Sequence, residues 1–183
     1  MTENDQLQCR ILAFLLDYPD TSWRAELSEW ADAAAEVTDE TSRQELRKFI
    51  TYAEDTPALA LQETYTAAFD LDPSTSLHLT YHLQGDNEER GKALAKLLWM
   101  YHQEGFDAQI GELPDYLPMI LEFIALCPEP RDGDPLRSCL AAVAIIAERL
   151  AKIHHPYAIL LELTAGILEN RMAISFHMVR KEV

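Results

Sequence analysis

Apolar residues return at intervals of three and four along nearly the whole chain, and that period belongs to the α-helix. Leu7, Ile11 and Leu15 form one stripe, Trp23, Leu27, Trp30 and Ala34 the next, and Leu46, Phe49, Ile50 and Ala53 a third. Leu61, Tyr65, Ala68 and Phe69 follow, then Leu94, Leu97, Leu98 and Tyr101, then Ile120, Leu121 and Ile124. Leu136, Leu140, Val143, Ala147 and Leu150 line a long segment, and Tyr157, Leu160, Leu161, Thr164 and Leu168 the last. No strand alternation or internal repeat competes with this spacing. It predicts an all-α bundle of about eight helices with short connections and antiparallel neighbours, with residues 1–183 forming one domain.

Proline and the capping residues punctuate the stripes. Tyr18-Pro19 stops the first helix, because proline disfavours a helical residue before it. Thr56-Pro57 reads as an N-cap followed by a first-turn proline, Asp86 with Glu89 as a capping box, and Gly105 as a C-terminal stop. Asp134-Pro135 and Pro156 open the last two helices. The stretch from Asp70 to Asp86 is the least regular. Within it, Ser76 to His82 reads as a short helix or an extended piece.

Hydrophobic residues make up 48% of the 183, enough for a sizeable core. Fifteen Lys and Arg oppose 31 Asp and Glu, a formal net charge of -16. Such a surface repels phosphate backbones, which argues against nucleic acid as a partner, and it attracts basic peptides. Good solubility is the plainer consequence of the same charge. Cys9, Cys127 and Cys139 are widely spaced and form no C-x-x-C pair, as expected of reduced core thiols. The acidic start, Met1 to Asp5, lacks signal-peptide order, and no apolar run reaches the roughly 18–20 residues of a bilayer span. The expected compartment is the cytoplasm.

Catalytic equipment is missing. His78 and His82 are four apart and would share a helical face, but no third ligand and no H-E-x-x-H accompanies them. The paired Glu-x-x-His of a di-iron bundle is absent, and so are the glycine-rich phosphate loops and G-x-S-x-G. No catalytic residue, metal or cofactor is expected. A metal-dependent helical enzyme is the alternative from a different class, and metal analysis separates the two.

Glu112 to Phe123, E-L-P-D-Y-L-P-M-I-L-E-F, stands apart. Two prolines four apart are costly inside a helix. One reading is a rigid helix entry with Asp115 as N-cap and Pro118 in the first turn. The other is a rigid, partly exposed platform beside an apolar groove.

This segment resembles the E-x-P-D-H-L-x-x-x-L-E-F signature of the TorD/DmsD/NarJ family of redox-enzyme maturation chaperones. Three further stretches resemble the NarJ branch: Leu16 to Asp20, Tyr65 to Asp70, and Ser76 to Gly91 with its S-L-x-L-T-Y and G-D-x-x-x-R-G elements. The likeness runs in order from Leu12 to about Leu168, with Tyr116 standing where the signature has histidine. It implies a helical chaperone for the molybdenum-containing catalytic subunit of a membrane-bound respiratory nitrate reductase. Such a chaperone binds the subunit's N-terminal peptide, supports insertion of the molybdenum cofactor together with cofactor-delivery proteins, and delays membrane docking. A chaperone for another molybdoenzyme of the same superfamily is the close alternative.

For a helix-in-groove mode of binding, the expected contacts are Tyr65, Phe69, Leu77, Tyr81, Leu98, Pro114, Tyr116, Leu117 and Pro118. Asp70, Asp86, Asp115 and Glu122 are the carboxylates expected to orient basic residues of the peptide. Each aromatic also has a plain role in core packing.

Overall fold

The computed structural model describes residues 1–108, 111–130 and 133–179. Among these are nine helices and no strand: α1 (Glu3–Leu15), α2 (Thr21–Ala35), α3 (Glu40–Asp55), α4 (Ala58–Phe69), α5 (Leu79–Gln84), α6 (Glu88–Gln103), α7 (Leu117–Leu126), α8 (Asp134–Lys152) and α9 (Ala158–Val179). The all-α expectation holds. No helix among the described residues is long and apolar enough to cross a membrane.

The helix starts show why the chain breaks where it does. Thr2 caps α1 through a reciprocal pair with Asp5, the backbone N–H of each donating to the other's side chain at 2.9 and 3.1 Å. Asp20 accepts the Trp23 N–H at 2.9 Å, and Asp39 accepts the Ser42 N–H at 2.7 Å. Both carboxyls are held below the ordinary carboxylate range, chiefly by these backbone hydrogen bonds.

Three expected caps shift. Asn87, not Asp86, opens α6: its backbone is extended and its amide oxygen accepts from Glu89 N–H and Arg90 N–H. Asp86 lies one residue outside, with a carboxylate oxygen 3.9 Å from Arg90. Thr56 closes α3 and does not open α4; Pro57 forces it out of the helical region, and its hydroxyl donates to the Tyr52 carbonyl at 2.6 Å. Asp134 is the first residue of α8, after Gly133 in the cap position. Gly105 ends the α6 region with φ of 83°, a conformation that favours glycine.

The core is built around α1, α7, α8 and α9. Seven of the ten α7 residues are buried, so this helix runs through the molecule and leaves only a narrow ridge outside. It lies against α1, which also meets α2 and α9; α8 packs on α9, α5 and α6. Ile11, Leu12 and Leu15 of α1 meet this core alongside Ile120, Leu121 and Ile124 of α7, all fully buried. Each such side chain contributes about 1.5–3 kcal/mol by leaving water. Tyr157 at the start of α9 gathers the rings of Phe49, Tyr65 and Phe69 edge-on at 4.9–5.7 Å.

Candidate peptide groove

The segments singled out in the sequence come together beside α7. Ser76 to His82 splits in two: Leu77 and His78 are extended and pair with the Glu112–Leu117 segment, and α5 begins at Leu79. Leu79 N–H donates to the Asp115 carbonyl at 3.1 Å and Leu117 N–H to the Leu77 carbonyl at 3.0 Å, framing an antiparallel bridge between His78 and Tyr116. The buried Tyr101 hydroxyl holds the Pro114 carbonyl at 2.8 Å.

Asp115 does not cap its own helix. The N-cap position of α7 is Tyr116, whose side chain makes no cap bond. The Asp115 carboxylate, fully buried, reaches across to the first turn of α5 and accepts the Thr80 N–H at 3.0 Å and the Thr80 hydroxyl. It therefore caps a helix that starts 36 positions earlier in the chain. His78 Nδ1 faces its other oxygen at 3.4 Å, and Arg90 Nη2 lies at 3.9 Å. Burial opposes the charged form, but the facing His78 and the Thr80 donors together outweigh it and hold the carboxyl below its usual range. Arg90 also donates to the Thr80 hydroxyl oxygen at 3.3 Å and stacks over the half-buried Tyr81 ring at 5.7 Å.

A second network ties the same segment to α1 and α4. Tyr116 donates its hydroxyl hydrogen to Asp17 Oδ1 at 3.0 Å and lies 2.8 Å from the Tyr65 hydroxyl. Tyr65 OH is also 3.1 Å from the Leu16 carbonyl. With Tyr116 donating to Asp17, the single Tyr65 proton goes either to Tyr116 or to Leu16. Burial, more than any neighbour, pushes both phenols well above their ordinary value.

Outside this joint runs a groove. One hollow of about 370 Å³ lies between α1, α2 and α7, with Phe14, Tyr18, Trp30, Tyr116, Met119 and Glu122 among its walls. Phe14 is stacked between Trp23 and Trp30 at ring separations of 5.1 and 5.0 Å, and Arg10 lies over the outer face of Trp30 at 5.9 Å. A smaller hollow of about 80 Å³ sits on the other side of α7, between Phe106, Phe123 and the exposed Leu126. Met119 and Glu122 line both hollows. Met119, Glu122 and Leu126 are spaced i, i+3, i+7 and form the outer ridge of α7, where Met119 and Glu122 stand between the two hollows and the pair can serve as the two halves of one groove. Asp17, Asp20 and Glu26 stand on its acidic rim. Burial and then the nearby Asp17 charge push the Glu122 carboxyl up.

Of the residues expected at the site, Tyr116, Pro118 and Glu122 line this groove. Tyr65, Phe69, Leu77, Pro114, Asp115 and Leu117 are buried behind it and present no surface there; they hold the platform's shape. Asp70, at the end of α4, and Asp86, between α5 and α6, are exposed outside the groove, and so is Leu98 on the outer face of α6. Phe14, Met119, Phe106 and Leu126 belong to the groove without having been singled out. Phe14 carried a signal: it is a large ring next to, and off, the Leu7–Ile11–Leu15 stripe. His78 and His82 do not converge, since His82 Nε2 pairs with the Ser76 carbonyl at 2.7 Å. Among the described residues no group of three or more His, Cys, Asp or Glu is placed to hold a metal.

Comparison with known proteins agrees with the motif reading. Residues 19–158 match the family model described as "Nitrate reductase delta subunit". The nitrate reductase molybdenum cofactor assembly chaperone NarJ of Bacillus subtilis (strain 168) is 36% identical over 169 residues, 92% of each chain. NarJ of Escherichia coli (strain K12) is 32% identical over 155 residues, 84% of this chain and 66% of that one. A crystal structure from Archaeoglobus fulgidus, described as a redox enzyme maturation protein, superposes with a TM-score of 0.65 at 21% identity, covering 90% of this chain and 93% of the other. That last likeness speaks for the fold. With the family model spanning most of its length and a relative matched almost end to end, this chain belongs to the nitrate reductase delta subunit family.

Proposed function

We propose that this chain is a non-enzymatic assembly chaperone for the molybdenum-containing catalytic subunit of a nitrate reductase. Relatives named as nitrate reductase molybdenum cofactor assembly chaperones support that role. In our reading the α7 groove takes the subunit's N-terminal segment as an amphipathic helix. While that segment is held, the apo-subunit stays off the membrane in the cytoplasm until the cofactor is in place.

The observation that carries the reading is that Met119 and Glu122 line both hollows, so that one partner lying over α7 reaches the two. They offer stacked aromatic surface on one side and the Phe106, Phe123 and Leu126 side chains on the other, with a half-buried methionine between them. Methionine adapts to differently shaped apolar partners. The joint of Asp115, Thr80, Tyr116 and Tyr65 keeps the floor preformed, which lowers the ordering cost of binding.

Trp23 and Trp30 flank the groove, so their emission reports docking. Titrating a peptide of the catalytic subunit's N-terminal segment should change that emission. Met119→Gln, which makes the groove floor polar, should weaken binding about ten-fold while leaving the melting curve in place. A peptide that binds this variant as well as the parent chain would sink the groove as its site. The same titration with N-terminal peptides of other molybdoenzymes decides the client.

A further inference from the structure

Glu122 stands between two hollows, the larger lined by aromatic rings together with Arg10, Asp17, Asp20 and Glu26, the smaller mainly by apolar side chains. Glu122 is the charged side chain shared by both hollows, with Phe14, Tyr18 and Trp30 on one side of it and Phe106 and Leu126 on the other. Neither Glu122 nor its rim neighbours Asp17 and Glu26 form an ion pair among the described residues. Asp17 uses one oxygen, Oδ1, for both the Tyr18 N–H and the Tyr116 hydroxyl. Its charge is thus fixed in place beside Glu122. Two like charges are set against aromatic walls, and a partner covering them would remove their water. Arg10 lines the same hollow but lies over the Trp30 ring and pairs with neither carboxylate, so a docked helix that brought no cation would cover them without an ion pair.

We infer that the groove selects a helix carrying one arginine or lysine midway between two apolar anchors, with the cation seated between Glu122 and Asp17. This rests on the groove being the docking site. The two hollows lie on opposite sides of α7, so a helix crossing the ridge at Glu122 meets one about a turn before the seat and the other about a turn after it. The anchors of the complementary segment therefore stand three or four residues before and after its basic residue. Two anchors and one cation at fixed spacing give the register as well as the affinity.

The test uses a fluorescein-labelled peptide of the catalytic subunit's N-terminal segment, with each Lys and Arg replaced in turn by Gln. Each version is titrated against the parent chain, Glu122→Gln and Glu63→Gln; the last removes the same charge from the exposed face of α4. One basic position should cost about ten-fold against the parent and nothing further against Glu122→Gln, while Glu63→Gln behaves as the parent. Small, equal losses at every basic position, with no coupling to Glu122, would mean diffuse attraction and overturn the seat while leaving the groove standing. Parent peptide that fails to bind any of the three chains overturns both the groove and the seat.

Discussion

The Asp115 carboxylate is fully buried where the Glu112–Leu117 segment meets the start of α5. Its place between two prolines suggests a local cap. The structure uses it as a long-range cap on α5, so burial and the lost Thr80 partner both count against its removal. Asp115→Ala should cost about 3 kcal/mol, because it leaves the Thr80 donors without their acceptor and the nearby Arg90 without its opposite charge. Asp115→Asn keeps an acceptor but loses the charge, and about 1–2 kcal/mol is expected. Urea unfolding of both variants checks the order. The acid limb follows from the same contacts. Asp115 has a folded pKa below its unfolded value near 3.9, so its stabilisation is present above that value and is lost as pH falls through the lower folded one. A plot of unfolding free energy against pH should therefore be flatter for Asp115→Asn at its acid end; an unchanged slope would remove the carboxylate from that account. At Tyr116, a phenylalanine removes the hydrogen bond to Asp17 but leaves Tyr65 its Leu16 carbonyl, and about 1 kcal/mol is expected in the same urea unfolding.

At the scale of elements, periodicity located the helices well because each stripe faces one core, and a helix that misplaces its stripe loses several buried side chains at once. The ends were harder to read. Thr56, Asp86 and Asp134 are all competent capping residues, and which residue caps depends on backbone angles set by neighbours such as Pro57. The C-terminal end of α3 has a partner no local pattern announces. Arg24 of α2 donates to the carbonyls of Ala53, Glu54 and Thr56 at 2.9–3.1 Å, satisfying groups that the helix itself leaves over. Arg24→Met keeps much of the aliphatic stem and removes all three bonds. It should lower stability by about 1–2 kcal/mol, read as a lower urea midpoint with an unchanged slope. Equal midpoints would mean that water replaces the guanidinium at no cost.

For the whole molecule, the ordered motifs carried the family, but neither they nor the net charge showed the groove. Tyr116, Pro118 and Glu122 were legible because they sit in the segment from Glu112 to Phe123. Phe14, Phe106 and Leu126 were not, because a groove is made by elements distant in sequence, and Met119, inside that segment, looks like an ordinary helix residue until the walls are brought together. The buried motif residues Tyr65, Leu77 and Leu117 were legible as important, while their direction, inward, depended on the tertiary packing. The net charge of -16 acts on a different step from the groove. A distributed negative field would draw a basic segment in over distances near the Debye length, about 8–10 Å at physiological salt, whereas the apolar contacts of the proposed docking are unscreened. Association and dissociation should therefore respond differently to ionic strength. In stopped-flow mixing of the catalytic-subunit peptide with this chain, raising salt from about 20 mM to about 500 mM should slow association roughly ten-fold. The dissociation rate should change less than three-fold, because it is governed by the aromatic and aliphatic walls and by the covered charge at Glu122. A dissociation rate that rises as steeply as association falls would place the binding energy in exposed charge pairs and not in the groove.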